Sequence, residues 1–302
     1  MKRILYLLSI LLVIFLGAYF SWQLCCFSPT IKEAKVEIPK PPKEETRPSI
    51  GFGVLDAEGN ITIPVNEGVK FKKSMITFSS PVSKELDEKI EKLKNYLISE
   101  KEKSLSITSF YTSDETNNSI FPNIGVARAI SFKNYVSKRG MPTKLIDVKG
   151  ELNDDLEVDE NDNIKKPLKL SVGKSKDYSK LLESIIKDIE SNPLILNFET
   201  GKTKPIVNSD QRRKIINIST YLDKVDESSC LITGHTDSKG SLKRNMRLGQ
   251  QRANFVKDYF IKSGILEDRL KTVSKGETEP IADNKTKEGR RKNRRANVSL
   301  NK

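Results

Sequence analysis

One short pattern occurs twice in this chain, and that repetition limits the folds open to it. Asn123-Ile124-Gly125-Val126-Ala127-Arg128-Ala129 and Arg247-Leu248-Gly249-Gln250-Gln251-Arg252-Ala253 share an aliphatic residue, Gly, two free positions, Arg and Ala. The match runs on without gaps through Phe132-Lys133-Asn134-Tyr135 against Val256-Lys257-Asp258-Tyr259, and Gly140 against Gly264. After a two-residue difference in spacing, Lys149-Gly150 answers Lys275-Gly276. Upstream, Leu105-Ser106-Ile107-Thr108 mirrors Cys230-Leu231-Ile232-Thr233, and helices ending in Asn95-Tyr96-Leu97 and Thr220-Tyr221-Leu222 correspond. Self-similarity over this length predicts a duplicated domain, with copies at 50–172 and 193–302. Between them, within 173–192, Leu181, Leu182, Ile185, Ile186 and Ile189 share one face of a short connecting helix.

Each copy reads as strand, helix, strand, helix, strand. In the second copy the strands are expected at 194–198, 230–234 and 296–300, and the helices at about 210–222 and 245–262. Gly264 then stands just past the second helix, at the position that favours a left-handed residue. Strands alternating with helices imply an α/β (α+β) sandwich, here two βαβαβ-type domains in tandem.

The amino terminus sets the compartment. Met1-Lys2-Arg3 precedes an uncharged stretch, Ile4 to Phe27, which as a helix reaches roughly 36 Å, enough for a hydrocarbon core of about 30 Å. Lys2 and Arg3 place the amino terminus in the cytoplasm, and Tyr19 and Trp22 suit the far interface. Residues 1–27 are thus expected to be a transmembrane helix or signal anchor, with contact to the lipid bilayer through residues 4–27. A cleaved secretory signal is the competing reading, and either one exports the remainder. Cys25 and Cys26 fall at the membrane edge as filler, and three cysteines are too few for a disulfide framework. Residues 28–49 carry Pro29, Pro39, Pro41, Pro42 and Pro48 among Lys and Glu, a linker that supplies reach and buries nothing.

The net charge of +13 is unevenly divided. Residues 51–190 carry 22 basic against 23 acidic side chains, whereas residues 191–302 carry 24 against 13, a net of +11. The anionic partner is therefore sought on one domain. A single histidine argues against histidine-based metal centres, and no nucleophile–base set marks an enzyme. No cofactor is expected. Nucleic acid is not the expected partner either, because the chain is exported and the basic run Arg290-Arg291-Lys292 has no interleaved aromatics.

Arg252 is the residue that calls for explanation. Leu248 and Val256 lie one turn to either side of it, so its guanidinium sits on or beside the core-facing side of a helix. An unpaired buried charge costs several kcal/mol, and Asp237 is the nearest obvious acid. Two arrangements are open. Asp237 and Arg252 either form a plain ion pair closing the loop, or face a ligand that carries both charges.

Gly234-His235-Thr236-Asp237-Ser238-Lys239-Gly240, then Asn245, Leu248 and Arg252-Ala253, resembles the OmpA-like peptidoglycan-binding domain. Gly276-Glu277, Pro280-Ile281-Ala282-Asp283-Asn284, Glu288-Gly289-Arg290 and Asn293-Arg294-Arg295 extend the resemblance over residues 193–302. Gly249 departs from the pattern, which has Ser there, and little functional cost is expected. The resemblance implies that Asp237 and Arg252 hold the diaminopimelate of peptidoglycan stem peptides, the carboxylate gripping its ammonium and the guanidinium its carboxylate. Thr236 and Asn245 are implied supporting donors. Of Arg294 and Arg295, the resemblance implies that one supports the site and the other is solvated, without saying which. His235 is expected to be a packed or hydrogen-bonding loop residue.

In the first copy, Thr112 or Ser113 falls opposite Asp237, depending on register, with Asp114 and Glu115 close behind, while Arg128 remains. The acidic run Glu151 to Glu160 lacks the glycine and terminal Glu of a calcium loop and reads as solvated. The first copy is expected to be a degenerate module serving as spacer, self-association surface or docking platform for a protein partner. The whole is expected to be a membrane-anchored, non-enzymatic peptidoglycan tether of the cell envelope, with its carboxy-terminal domains in the periplasm. The inner membrane is the expected site, with an outer-membrane or periplasmic address if the signal is cleaved. A scaffold or stator-like component is the alternative, although the span itself contains no ionisable group to conduct protons.

Overall fold

Two β-sheets, each built round one parallel strand pair, organise the described part of the chain. The computed structural model describes residues 54–55, 61–63, 69–79 and 82–301, together with Leu16 and Tyr19, both helical. Those two residues aside, the expected span at 4–27 lies outside the described residues, as does the linker at 28–49. Among the described residues no helix is long and apolar enough to cross a membrane. Residues 47–302 cluster as one compact unit.

The first sheet comprises β1 (Val54–Leu55), β2 (Ile61–Ile63), β3 (Lys103–Tyr111), β4 (Ile146–Leu152) and β5 (Leu168–Lys174), in the order β1-β2-β5-β3-β4. The second comprises β6 (Leu194–Asn197), β7 (Ser229–His235), β8 (Leu270–Gly276) and β9 (Arg295–Asn301), in the order β6-β9-β7-β8. With β2 set against β6, β5 against β9, β3 against β7 and β4 against β8, the two orders coincide. The β3/β4 and β7/β8 pairs are parallel and the remaining pairs antiparallel. A parallel pair needs a crossover back along the sheet. Helix α2 (Ile124–Ser137) supplies it in the first half and α5 (Leu242–Lys262) in the second. The other helices are α1 (Lys84–Ser99), α3 (Ser179–Ser191), α4 (Ser209–Lys224) and the short α6 (Lys287–Asn293). The described residues thus form a mixed α/β fold of two sheets and six α-helices.

This is two strands more than the βαβαβ reading in the first half and one more in the second. In the second half the missed strand is β8, whose Lys271, Thr272, Ser274 and Lys275 hide it among polar residues. It lies at the sheet edge, where only one flank is paired and polar side chains are tolerated. Helix α6 was also missed, because Lys-Glu-Gly-Arg-Arg-Lys-Asn has no apolar period, and the Thr286 side chain caps it by accepting from Gly289 N.

Strand alternation places Leu194, Leu196, Cys230, Ile232, Ala296 and Val298 in one core, against Ile215, Ile218, Leu222, Ala253, Val256 and Phe260 of the helices. Burial pushes the Cys230 thiol up to about 12, so it behaves as a small apolar group. Helix α4 starts from a capping box, Asn208 and Gln211 each satisfying the other's backbone N–H. Helix α5 lies directly on β7 at Gly234 and Gly249. A Cβ at Gly234 would come within 1.9 Å of the Gly249 carbonyl oxygen, and one at Gly249 within 2.3 Å of Ser274 Oγ. A Cβ at Gly249 would also come within 2.8 Å of the Gly234 carbonyl oxygen, so backbone as well as Ser274 fills the space a side chain there would need.

A buried ionic cluster joins the halves. The Asp147 carboxylate on β4 accepts from Lys224 Nζ and from Tyr178 Oη, each at 2.7 Å, and Lys224 Nζ lies 4.4 Å from the Tyr178 ring centroid. Lys133 of α2 pairs with Asp223, while Thr143 Oγ1 donates to the Asp223 carbonyl at 2.8 Å. Burial alone would raise the Asp147 carboxyl, but the bonds from Lys224 and Tyr178 hold it below its ordinary range. Such a group stabilises the fold fully above its unfolded value and loses that contribution as pH falls through the folded one. Asp147→Ala is expected to cost about 3 kcal/mol at pH 7, because it strands the buried Lys224 charge. The same substitution is expected to flatten the loss of stability below about pH 4. Denaturant titrations at pH 7 and pH 3 check both.

Candidate functional site

The carboxyl end of β7 turns away from the sheet at Thr236 and Asp237, and a cavity of about 200 Å³ opens there. Asp237, Asn245, Arg252 and Arg294 line it, with Thr236, Leu248 and the Thr200–Gly201 turn. Four separate stretches of chain therefore meet at one pocket.

Arg252 is fully buried and has backbone carbonyls as its hydrogen-bond partners. Its Nε donates to Lys202 O at 3.0 Å, Nη1 to His235 O at 2.8 Å and Nη2 to Glu199 O at 3.3 Å. The guanidinium lies over the Phe198 ring, 4.9 Å from its centroid. The Asp237–Arg252 ion pair left open above is not formed. Asp237 Oδ2 instead pairs with Arg294 Nη1 at 2.9 Å, and its Oδ1 accepts from Lys239 N at 3.1 Å. Arg294 is held in place by a 3.0 Å bond from Nε to Phe198 O. Burial pushes the Arg252 guanidinium down to about 10, with the Asp237 charge opposing and that of Arg294 assisting. It remains cationic at neutral pH, and among the described residues no carboxylate neutralises it. Beside it stands an anion, Asp237. A ligand carrying a carboxylate and an ammonium close together could meet both.

Thr236 and Asn245 hold the loop in shape. Thr236 N donates to Gly276 O at 2.8 Å and its Oγ1 to Asp237 O at 2.9 Å. Asn245 Nδ2 donates to Asp237 O at 3.2 Å and to the Glu277 carboxylate. Arg294 and Arg295 point to different places, as adjacent residues entering a strand must. Arg294 lines the pocket. Arg295 is buried away from it, its Nη2 donating to Glu279 O at 3.1 Å and its Nε to Asn297 Oδ1 at 3.2 Å, so it is neither solvated nor a pocket residue. Asn293 is a brace the sequence did not single out by role. Its Oδ1 accepts from Ile281 N and Ala282 N, and its Nδ2 donates to Asn284 Oδ1, which also receives Ser238 N. The carbonyls of Glu199 and Lys202 were missed altogether, since a backbone acceptor leaves no trace in residue identity.

The first half carries the same cradle with a different occupant. Arg128 Nε donates to Met75 O at 2.8 Å, Nη1 to Phe110 O at 3.4 Å and Nη2 to Lys72 O at 3.1 Å, over the Phe71 ring at 5.6 Å. Strand pairing puts Leu105 opposite Ile146 and Val172 and Cys230 opposite Leu270 and Leu300, so Phe110 corresponds to His235 and Thr112 to Asp237. The hydroxyl expected in the carboxylate slot is Thr112, yet the guanidinium is not left without an anion. Glu115 reaches back to make a bidentate pair with Arg128, both side chains fully buried. Burial alone would raise the Glu115 carboxyl, but Arg128 and the Ser74 and Thr112 N–H groups hold it below the ordinary range.

His235 is buried, with Nδ1 lacking a hydrogen-bond partner among the described residues. Burial first, then the Arg295 charge, lowers it to about 4. A histidine lowered in the fold stabilises it fully above the unfolded value of about 6.5, and that contribution is lost as pH falls through about 4. His235 is the one histidine of the chain, so a proton NMR titration reads it without assignment. Its ring signals are expected to stay unshifted from pH 8 to 5.5, and His235→Asn is expected to flatten the fall in stability between about pH 6.5 and 4.

The OmpA family profile matches residues 197–294. Outer membrane protein A of Bordetella avium is 35% identical over 104 residues, 34% of this chain and 52% of that protein. The peptidoglycan-binding protein ArfA of Mycobacterium tuberculosis is 39% identical over 121 residues, 40% of this chain and 36% of that protein. The chain thus spans about half the length, or less, of these relatives. A solved structure, the peptidoglycan-associated lipoprotein from Burkholderia pseudomallei, aligns at 22% identity with a TM-score of 0.35, covering 39% of this chain and 99% of that one. The stretch from Asn197 to Arg294, which carries Asp237, Asn245 and Arg252 into one cavity, is an OmpA family domain.

Proposed function

We propose that this chain is a non-enzymatic peptidoglycan-binding protein of the cell envelope, which ties a membrane to the wall through the diaminopimelate of stem peptides. One observation carries the reading: Arg252 is a buried cation with no carboxylate of its own, in a cradle whose counterpart in the first half is filled by Glu115. The second half lacks what the first supplies to itself. A ligand carboxylate seated on Arg252 completes the pair, and the adjacent ammonium of the same amino-acid head lies toward Asp237. Arg294 holds Asp237 in position and keeps it from collapsing onto Arg252. A relative named for binding peptidoglycan supports the ligand class. So does the +11 charge of residues 191–302, which favours approach to a polymer bearing carboxylates.

The same comparison supports reading residues 50–172 as a degenerate copy of the module at 193–302. The matching strand orders, the Arg128 cradle and the glycine on each crossover helix argue for duplication. Glu115 then closes the first pocket, which leaves that module free to act as spacer or docking platform, as in an envelope scaffold. The stretch at 4–27 supplies the membrane anchor, with both modules on the periplasmic side of the inner membrane.

Titration of the full chain with meso-diaminopimelate is expected to give one site per chain. Asp237→Ala and Arg252→Lys are each expected to weaken binding about tenfold or more, with circular dichroism unchanged, because the first removes a charged hydrogen-bond partner and the second the planar guanidinium fork that grips a carboxylate bidentately. Binding of both variants to purified sacculi at wild-type strength would sink the assignment. Two sites of equal affinity would show instead that Glu115 does not close the first pocket.

A further inference from the structure

A second depression, of about 500 Å³, adjoins the pocket, and Arg294 contributes to the walls of both. The Phe198–Ile206 stretch forms one side and Arg291 the other. Four cations, Lys202, Lys204, Arg291 and Arg294, face it against the single carboxylate of Glu199. Arg294 is committed to Asp237. Arg291 pairs with Glu288 at 2.7 Å, but both side chains are more than half exposed, so the pair is weak and easily exchanged. Lys202 and Lys204 are exposed and form no ion pair among the described residues. Ile206 is 81% exposed at the same groove, an apolar surface that gains by being covered. Neutral wall polymer would find little use for three loosely held cations beside a zwitterion pocket. A peptide bearing a further anion would.

We propose that this groove binds a second carboxylate of the same stem peptide, set against Lys202, Lys204 and Arg291, while an aliphatic part of the peptide covers Ile206. The assignment rests on the Asp237/Arg252 reading of the adjoining pocket. It makes the site two-part. The pocket reads one amino-acid head, and the groove reads the charge of the chain attached to it. Arg294 is the shared wall that sets the distance between the two.

Calorimetry on the full chain separates the parts, using free meso-diaminopimelate as one titrant and a diaminopimelate-containing wall tetrapeptide as the other. The wild-type chain is expected to bind the tetrapeptide more tightly than the free amino acid. Lys204→Gln combined with Arg291→Gln touches neither Asp237 nor the Arg252 cradle. It is expected to leave the free amino acid's affinity unchanged, weaken the tetrapeptide about fivefold at low salt and reduce the salt dependence of its binding. A tetrapeptide with its other carboxylates amidated should lose the same factor on the wild type and nothing further on the variant. Equal tetrapeptide affinities for wild type and variant, with diaminopimelate binding intact, would overturn the groove and leave the pocket standing. Failure of the wild-type chain to bind diaminopimelate at all would overturn the pocket and the groove together.

Discussion

Everything at the functional end of this molecule depends on one buried guanidinium and on what neutralises it. Arg252 sits where the crossover helix passes the end of β7, and it ties that helix to the strand and to the 199–202 turn through three backbone carbonyls. Carbonyl dipoles take up three of the five guanidinium N–H donors without cancelling its charge, so the cavity keeps a net demand for an anion. In the first half Glu115 meets that demand from within, and the cradle becomes a closed structural joint. One geometry therefore stands as an open cavity beside a buried cation or as a buried ion pair, according to whether a carboxylate lies within reach on the same chain.

The close seating of α5 on β7 makes this possible. Gly234 and Gly249 let backbone approach backbone, which carries Arg252 in under the loop that presents Asp237. The loop in turn is held by Asn245 from the helix, Gly276 from β8 and Asn284 from the 280–284 segment. Each support comes from a different part of the chain, so the pocket forms only when the whole second half is folded. Elsewhere the Asp147–Lys224–Tyr178 cluster joins the two halves through buried charges.

Much of the second half could be read from residue patterns. The strand expected at 230–234 is observed at Ser229–His235, and the helix expected at 245–262 at Leu242–Lys262, because their apolar residues recur with the right period. β8 escaped because an edge strand need not alternate, and α6 because its start rests on a cap and its residues are charged throughout. At the site, Asp237, Arg252, Thr236 and Asn245 were named from the motif, and they converge. Arg295 was not separable from Arg294 by sequence, since which of two neighbours faces the cavity depends on where the strand begins. Glu115 was noticed only as a residue near the vacant slot. Its role follows from a loop that folds back over Arg128.

The sequence by itself determined that one short pattern occurs twice, that basic charge is concentrated in residues 191–302, and that a motif there puts an acid and an arginine fifteen residues apart. Those are properties of order and composition, and they survive without coordinates. Only the tertiary structure decided who pairs with whom. Asp237 turns to Arg294, Arg128 takes Glu115, and Arg252 has backbone carbonyls as its hydrogen-bond partners. Pairing of buried charges is settled by distances of a few ångströms between segments far apart in the chain, and residue order holds no record of those distances.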